Sequence, residues 1–574
     1  MKRKIIFRFI AVLLPVFLVM LFELALRIGG YGQNYRLFGK VTVDHQPDYL
    51  VMNSRISKKY FQDYELGSDN QSDLFLRKKN KRTFRVFVQG ASTVAGFPFY
   101  RSASFPRLLK HRLAQTFPEK NIEVVNTGIT AVSSYTLLDL SDQIIDQEPD
   151  LVIIYAGHNE YYGALGVGST ISFNTPPGLI KAYLYFKNFR FFQLLENGYK
   201  TLRNPEEKKF KIGETTLMEI MAKKQRIPYE SEVYYEGIEQ FRSNIGKLLE
   251  KYKRHGIPVI LSTVVSNERD VKPFLSDSIE NEQQFLQAVK EGDYEARTLA
   301  GSNANAAYIT GRYYLELERD TASTYLHLAK ELDFLRFRAP EKINEVIVQL
   351  AREHKATLVD MEGVFSSHSF QGIIGNDLLT EHVHPNVKGS FLMADAFYNE
   401  IRDMGLLENW EHYIPFDEAF EDMPVTEIDS IQGKYVIDNL KKSWPYVLNM
   451  SGMNPVPDYV DKPTYEERSA LDLFTKQMRW QDVMKRSYYK YERDSSYQKG
   501  LQVAQSLILE YPEQGEVYRM AGNMCLKMKA YEKAVYYFYK CDQLEKNDLS
   551  SRHLADARKA LSEAGGSGTN NGYE

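Results

Sequence analysis

The residue types that could carry out nucleophilic catalysis in this chain follow the ends of short apolar segments. The first such segment ends at residues 88–93, with the sequence Val-Gln-Gly-Ala-Ser-Thr. Small residues before Ser92 permit the tight turn that exposes a hydroxyl above a sheet. A turn of this kind is more often an ordinary turn or a helix N-cap, so a nucleophile at Ser92 requires further polar groups close to it.

Two further apolar segments also end in polar or glycine-containing turns. Residues 125–128 (Val-Asn-Thr-Gly) place Gly128 where the backbone can approach a ligand, and residues 155–160 (Tyr-Ala-Gly-His-Asn-Glu) place His158 and Asn159 after the third segment. In an open parallel sheet, ligands bind beyond the carboxyl ends of the strands. We therefore expect the three turns to meet at one edge of a sheet.

A pair of residues later in the chain has the spacing of a general base and its supporting acid. Glu381 precedes His384 by three residues, so its carboxylate can reach the imidazole and fix the tautomer. Asp377 is the reserve candidate for this acid. The intervening His382 is interpreted as a packing or solvated residue.

The elements that must position these residues alternate between β-strand and amphipathic helix. Strands are predicted at residues 84–89, 122–125, 151–155, 259–263 and 357–361. A helix is predicted over 238–252, because Ile238, Phe241 and Ile245 begin an apolar face at helical spacing. This pattern predicts an α/β domain with a five-stranded parallel sheet in a three-layer, doubly wound arrangement.

Two stretches interrupt the alternation, at about 164–230 and 276–333, and are predicted to be helical insertions near the active-site side. The second contains one helix-turn-helix unit of the tetratricopeptide (TPR) type. With these insertions the α/β domain is predicted to span 81–410. A linker is predicted at 411–463, and the polar stretch 565–574 is predicted to be a disordered tail.

Residues 464–564 are predicted to form an all-α region of two to three TPR-like repeats. The sequence Tyr-Gln-Lys-Gly at 497 recurs as Tyr-Glu-Lys-Ala at 531, a separation of 34 residues that equals the TPR period. Gly522, Ala534 and Phe538 fall where such a repeat needs small or aromatic residues for close helix packing. An ordinary helical bundle with a chance match is the alternative.

The N-terminus has the features of a membrane signal. Four basic residues precede an apolar run from Phe9 to Phe22, and Glu23 and Arg27 lie one helical turn apart and can pair. The pattern predicts an uncleaved transmembrane anchor at 1–30, a juxtamembrane segment at 31–80, and the remaining chain outside the cytoplasm, in the periplasm or at the cell surface. A cleaved secretory peptide and a buried core helix are the alternatives.

The composition agrees with a folded protein of two or three structural units. The chain has 574 residues, 43% hydrophobic and 26% charged, with a formal net charge of -3. These values do not favour a disordered chain or a nucleic-acid partner. The only cysteines, Cys525 and Cys541, are too few for a disulfide framework and are not spaced for a metal site. No cofactor and no metal are expected.

Together the turns resemble the sequence blocks of the SGNH (GDSL-like) hydrolase family, whose named residues are a Ser, a Gly, an Asn and a His. The matching residues are, in order, Ser92, Gly128, Asn159 and His384. The similarity covers about residues 84–404, and the N-terminal anchor and C-terminal TPR units resemble a bacterial subgroup of the family. Two positions depart from the family pattern: Ala91 replaces an Asp before the serine, and the acid is Glu381 instead of Asp.

The resemblance implies hydrolysis of an ester through a Ser-His-acid triad and an acyl-enzyme. Ser92 is then the nucleophile, His384 the general base, and Glu381 the carboxylate that holds the imidazole. The implied oxyanion hole consists of the backbone N–H of Ser92, the backbone N–H of Gly128 and the side-chain amide of Asn159.

Three further residues are candidate substrate contacts: His158, Asn267 and Arg338. The two later residues, with their neighbours Arg269 and Arg336, have side chains suited to an anionic or sugar substrate. The alternative for His158 is a hydrogen bond that orders its loop. For the arginines it is salt bridges within the insertion.

Three functions follow as hypotheses. The first is an extracytoplasmic esterase, with acyl groups on carbohydrate as one substrate class. The second is an O-acyltransferase that passes the acyl group to a sugar hydroxyl. The third is a non-catalytic scaffold with a vestigial pocket. The expected partners are an ester-bearing small molecule or glycan, a membrane bound through the N-terminal helix, and a protein at the TPR region.

Overall fold

The computed structural model describes residues 2–43, 47–61, 73–169, 177–203, 217–222, 225–447 and 463–564. Its eight strands are β1 (Phe38–Val41), β2 (Tyr49–Met52), β3 (Phe75–Leu76), β4 (Thr83–Gly90), β5 (Asn121–Asn126), β6 (Leu151–Tyr155), β7 (Val259–Ser262) and β8 (Thr357–Val359). Strands β4 to β8 form a parallel sheet in the order β5-β4-β6-β7-β8, and β1 to β3 form a small antiparallel sheet.

The helices described up to residue 403 are α1 (Lys2–Ile28), α2 (Ser92–Ala95), α3 (Phe105–Thr116), α4 (Ser134–Ile145), α5 (Pro177–Phe186), α6 (Arg190–Arg203), α7 (Leu217–Ala222), α8 (Glu232–Arg254), α9 (Glu282–Glu291), α10 (Tyr294–Ala300), α11 (Ala304–Glu316), α12 (Thr321–Leu332), α13 (Glu341–His354), α14 (Met361–Ser367) and α15 (Val387–Asp403). Short 3-10 helices span Ile56–Lys59, Phe370–Gly372 and Trp410–His412.

The apolar strands of the parallel sheet are largely buried, with β8 at the edge of the sheet the least buried. In β6 every residue is buried, and the register pairs Val86 with both Val124 and Leu151. Helix α3 packs on β5 and on α15, and α15 also contacts β8, whereas α4 and α13 pack against α8. Two groups of helices thus enclose the sheet, and the predicted α/β fold with five parallel strands is confirmed.

Helix α8 illustrates how the local sequence sets these elements. The hydroxyl of Ser231 caps its N-terminus by accepting the backbone N–H of Tyr234 at 3.3 Å. The apolar residues predicted to share one face, Ile238, Phe241 and Ile245 among them, are buried. The helix begins six residues before the predicted range and ends two residues after it.

The prediction of a transmembrane anchor is wrong. Of the helices in the described ranges, none combines the length and the apolar character needed to cross a membrane. At about 1.5 Å per residue, the uncharged run from Phe9 to Phe22 is only about 20 Å long, against about 30 Å of hydrocarbon in a bilayer. The prediction of a membrane-anchored location, which was inferred from this anchor, is therefore wrong as well.

Helix α1 instead contacts α6 through its C-terminal end. The predicted pair of Arg27 with Glu23 forms at 2.7 Å. The carboxylate of Glu23 also accepts the backbone N–H of Phe191 at 2.8 Å, and the rings of Phe22 and Phe191 meet edge to face at 5.7 Å. The pKa of Glu23 is lowered by these hydrogen bonds and by Arg27, although desolvation opposes the shift.

The region predicted only as a juxtamembrane segment contains the small antiparallel sheet. Phe38 of β1 and Phe75 of β3 pack edge to face at 5.0 Å, and both rings contact Phe87 of β4. Sheet β1–β3 therefore extends the core of the α/β domain.

The C-terminal helices are α16 (Phe416–Glu421), α17 (Glu427–Lys441), α18 (Tyr465–Phe474), α19 (Trp480–Arg493), α20 (Tyr497–Glu510), α21 (Gly515–Lys527), α22 (Tyr531–Leu544) and α23 (Asp548–Glu563). Each helix from α19 to α22 packs on the next, and a Cβ added at Gly522 would lie 2.8 Å from the ring of Phe538. The helical region is as expected, whereas its identification as TPR repeats stays a prediction, as do the domain boundaries.

The stretch predicted as a linker contains α16, α17 and a short segment, 443–447, that we call the strap. Helix α17 packs on α18 of the C-terminal helices. Residues 448–462 and the predicted disordered tail at 565–574 lie outside the described residues.

A buried ion network joins the C-terminal helices to the α/β domain. Glu510 of α20 accepts hydrogen bonds from Arg107 of α3, at 2.8 Å, and from Arg101. Arg107 is fully buried and also pairs with Asp73 at 3.2 Å. The two arginines hold the pKa of Glu510 below its usual value against the opposing effect of burial.

We predict that E510Q lowers the free energy of unfolding by about 3 kcal/mol, because it leaves part of a buried cation uncompensated. The matched control is E516Q on α21, which removes a half-exposed pair with Arg519 and should change the stability by about 0.5 kcal/mol or less. Urea unfolding followed by circular dichroism measures both. Equal effects of the two variants would contradict the structural importance of the network.

Candidate active site

Ser92 begins the short helix α2 directly after β4, in a turn that only small residues allow. A Cβ added at Gly90 would lie 2.2 Å from the carbonyl oxygen of Tyr155 and 2.3 Å from Val94 Cγ2. The turn closes through the Ala95 N–H, which donates to the Ala91 carbonyl at 2.9 Å. Ser92 is partly exposed, so its hydroxyl is presented at the carboxyl end of the sheet.

Asn126, at the end of β5, holds this turn from the side. Its Nδ2 donates to the carbonyl of Val94 at 2.6 Å, and its Oδ1 accepts the backbone N–H of Gly128 at 2.8 Å. Gly128 packs so closely on the turn that an added Cβ would lie 2.4 Å from Ala95 N. No role was predicted for Asn126, although an Asn side chain often accepts the backbone N–H two residues later, as in an Asx-turn.

His384 lies against Ser92, although the two residues are 292 positions apart in the sequence. Its Nε2 is 2.7 Å from Ser92 Oγ, and its Nδ1 is 2.5 Å from Glu381 Oε1. The histidine loop is closed by the Thr380 N–H, which donates to the His384 carbonyl at 2.8 Å. The ring of Phe97 packs on the imidazole with centroids 4.7 Å apart.

Glu381 is completely buried and is surrounded by hydrogen-bond donors. Oε1 accepts the backbone N–H of His384 at 2.7 Å in addition to its Nδ1 contact. Oε2 accepts the hydroxyl of Tyr446 at 2.8 Å and faces Nδ1 of His382. A buried carboxylate is tolerated only when such partners compensate it.

The reserve acid, Asp377, is engaged elsewhere. Its carboxylate pairs with Arg269 at 3.0 Å and accepts the backbone N–H of Phe370 at 3.0 Å. The structure therefore brings Glu381, and not Asp377, to the imidazole.

The surroundings of His384 keep its imidazole neutral. Burial lowers the pKa of His384 to about 3, since a charged ring would lose its hydration. With Nδ1 facing a carboxylate, the proton of the neutral ring lies on Nδ1, and Nε2 is left to accept the hydroxyl proton of Ser92. This is the protonation state that a general base requires.

The three predicted oxyanion donors differ in their availability. Among the described residues, we find no internal hydrogen-bond partner for the backbone N–H of Ser92 or for the side-chain amide of Asn159. The N–H of Gly128, in contrast, already donates to Asn126. Two donors are thus free to meet an oxyanion, and the third would have to share its hydrogen with Asn126.

The three candidate substrate contacts also differ. His158 is buried, its Nδ1 accepts the Ala339 N–H at 3.1 Å, and its Nε2 has no partner among the described residues. Burial lowers the pKa of His158 to about 3. Its unsatisfied nitrogen keeps His158 as a candidate.

Asn267 and Arg338 are used within the protein. Asn267 Nδ2 donates to Asn376 and to the carbonyl of Glu381, so it orders the loop that carries the acid. Arg338 pairs with the buried Asp333 at 3.1 Å and donates to the carbonyl of Asn267 at 2.9 Å. The alternative of internal polar contacts therefore describes both residues better than substrate binding.

One cluster of this site has the side chains of a metal centre. The ligand atoms of Glu381, His382 and His384 lie within 4.8 Å of one another. Both Nδ1 atoms, however, face the carboxylate as hydrogen-bond partners. An ion in this cluster would replace the contact that joins His384 to its acid.

One family model matches the part of the chain that contains Ser92 and His384. Residues 88–390, more than half of the chain, match the family model described as the GDSL-like Lipase/Acylhydrolase family. The search of curated proteins gave no match.

Several solved structures are similar to the chain at low identity. A catalytic mutant of an acetylxylan esterase from Geobacillus stearothermophilus is 15% identical, with 58% of this chain and 98% of that chain covered and a TM-score of 0.28. A GDSL-like lipase from Bacteroides thetaiotaomicron is 13% identical, with 57% and 93% covered and a TM-score of 0.28. A gut microbial diltiazem-metabolizing enzyme is 10% identical, with 85% and 95% covered and a TM-score of 0.26.

Ester hydrolysis is expected to keep its rate as the pH falls below 6.5, the ordinary pKa of histidine. Only the neutral imidazole accepts the serine proton, and a lowered pKa preserves that form at lower pH. The pH profile of kcat/KM for a small ester reports this pKa for the free enzyme. An acid limb with its midpoint above 6.5 would contradict the assignment.

Proposed function

The chain belongs to the GDSL-like lipase/acylhydrolase family and is an ester-hydrolysing enzyme, and from this premise we propose that Ser92 attacks the ester carbonyl with His384 as its general base. The observation that carries the proposal is the continuous row of hydrogen bonds from Glu381 through His384 to Ser92. Such a row activates a hydroxyl that is a weak nucleophile by itself.

In the first half of the reaction, Ser92 Oγ forms a bond to the carbonyl carbon while its proton moves to His384 Nε2. The carbonyl oxygen becomes an oxyanion. When this intermediate collapses, the bond to the alcohol oxygen breaks, and His384 gives its proton to the leaving alcohol. Glu381 stabilises the imidazolium that exists between these two steps.

In the second half, a water molecule attacks the acyl-enzyme. His384 takes one proton of the water, and the second tetrahedral intermediate releases the carboxylic acid as the proton returns to Ser92 Oγ. In both halves the Ser92 N–H and the Asn159 amide are the proposed donors to the oxyanion. The Gly128 N–H is the third proposed donor, and its hydrogen would be shared between the oxyanion and Asn126 Oδ1.

We propose acyl groups on carbohydrate as the substrate class. The support for this substrate class is the partly exposed ring of Phe97, which packs on the His384 imidazole and meets the partly exposed ring of Tyr100 edge to face at 5.9 Å. Aromatic walls with a few polar groups are typical of small-molecule sites. Hydrolysis is preferred over transfer to a sugar hydroxyl, since the family that matches residues 88–390 is described as one of lipases and acylhydrolases.

The helices α18–α23 are proposed to be TPR-like and to bind a protein partner. The helices that begin at Tyr497 and Tyr531 are spaced by the TPR period, and Gly522 packs against Phe538 as such repeats require. Because the chain is an ester-hydrolysing enzyme, the hypothesis of a non-catalytic scaffold with a vestigial pocket is no longer proposed.

We predict that S92A abolishes hydrolysis of p-nitrophenyl acetate and labelling by a fluorophosphonate, because both reactions need the hydroxyl of Ser92 as the proposed nucleophile. N159A should lower kcat by about 100-fold to 1000-fold, the usual effect of losing one oxyanion donor. Steady-state kinetics and in-gel fluorescence measure these effects. S323A, which removes an exposed serine of α12, is the control and should leave both readouts unchanged.

An S92A variant that retains the wild-type rate would refute the proposal. Chemically acetylated xylo-oligosaccharides, incubated with and without an unacetylated glycan, separate the two reactions. Release of free acetate is expected in both cases, and acetylation of the added glycan would instead indicate acyl transfer.

A further inference from the structure

Two side chains with no assigned role contact the acid of the catalytic row on the side away from His384. One is the hydroxyl of Tyr446, 2.8 Å from Glu381 Oε2, and the other is Nδ1 of His382, which faces the same oxygen. The Oε1 atom faces His384 and the backbone. The two carboxylate oxygens thus have separate sets of partners.

We propose that Tyr446, together with His382, is a positioning residue of this enzyme: it holds the Glu381 carboxylate so that Oε1 stays directed at Nδ1 of His384. The inference rests on the proposed role of Glu381 as the acid of the catalytic row. It extends that function to a residue beyond 88–390, the range that matches the family.

The protonation states agree with this role. An ionised carboxylate only accepts hydrogen bonds, so the Tyr446 hydroxyl must donate to it. Burial raises the pKa of Tyr446, which therefore keeps its proton. Burial, with the nearby His384, also lowers the pKa of His382, so that His382 is a neutral ring.

Aromatic packing keeps Tyr446 in place. Within the strap, Trp444 is buried against Phe337 with ring centroids 5.9 Å apart. The ring of Phe274 meets Tyr446 edge to face at 5.1 Å and meets His382 at 5.4 Å. Both groups that contact Oε2 therefore belong to one packed cluster, in which the Tyr446 hydroxyl also lies 2.8 Å from Nδ1 of His382.

The strap also connects the catalytic centre to the C-terminal helices. It follows α17, which packs on α18, and its Val447 N–H donates to the Ser443 carbonyl at 3.1 Å. The C-terminal part of the chain thereby delivers a side chain to the acid that supports the general base.

The test is Y446F, which removes the hydroxyl and keeps the ring. We expect kcat for p-nitrophenyl acetate to fall about 10-fold with KM unchanged, in the range seen when supporting groups of reactive residues are removed. The carboxylate would also lose a donor that disperses its charge, so the pKa of His384 should rise, and the acid limb of the pH profile should move to higher pH.

A double-mutant cycle separates positioning from general stability. In an E381Q background, Y446F should have no further effect on kcat, since the hydroxyl acts only through the carboxylate. The matched control is Y413F, which removes the 3.2 Å hydrogen bond of Tyr413 to Asn399 and should leave kcat and the pH profile unchanged.

Substitutions of His382 give a second measurement if Y446F folds poorly. H382N keeps an N–H in place of Nδ1 and should retain more activity than H382L, which has none. The inference is overturned if Y446F leaves kcat and the acid limb unchanged, if its effect is the same in the E381Q background, or if H382N and H382L are equal. Activity that survives in S92A would instead show the proposed function itself to be wrong.

Discussion

The row of hydrogen bonds from Glu381 through His384 to Ser92 requires a carboxylate that is ionised and completely buried. Removing such a charge from water carries a penalty of several kcal/mol, which only directed hydrogen bonds offset. The loop that holds Glu381 provides backbone N–H groups, and the strap provides the hydroxyl of Tyr446. These hydrogen-bond donors stabilise the buried charge of Glu381.

The parallel sheet positions the remaining groups of the site. Because β4, β5 and β6 run in the same direction, their carboxyl ends bring Ser92, Gly128 and Asn159 to one edge. The turn at Ser92 is then held between the carbonyl of Tyr155, which excludes any side chain at position 90, and the amide of Asn126. The position of Ser92, the proposed nucleophile, thus depends on the pairing of the strands as well as on the turn itself.

What the sequence could predict is the part that depends on local patterns. Five apolar segments predicted the parallel strands, and the three-residue spacing of Glu381 and His384 predicted their contact. The contact of Tyr446 with Glu381 and that of Asn126 with Val94 could not be found in this way, since they depend on which distant atoms meet after folding. The chemistry of Arg338 suggested substrate binding, but its guanidinium pairs with the buried carboxylate of Asp333 inside the protein.

For the N-terminal helix, a clear local pattern led to a wrong prediction. Basic residues before an apolar run are typical of a membrane signal, but the run is bounded by charges at both ends and is short. Glu23, which the sequence analysis treated as half of an end-of-helix pair, also binds the backbone of α6. The local pattern therefore suggested a membrane anchor, whereas the C-terminal end of the helix packs on α6 and no helix in the described ranges could cross a membrane.

Whether Ser92 carries the acyl group during turnover can be measured by mass spectrometry of the enzyme quenched in acid during hydrolysis of an ester. A peptide containing Ser92 should gain the mass of the acyl group, and this adduct should disappear once the substrate is exhausted. An adduct on a different residue, with Ser92 unmodified while the ester is consumed, would contradict the proposed role of Ser92.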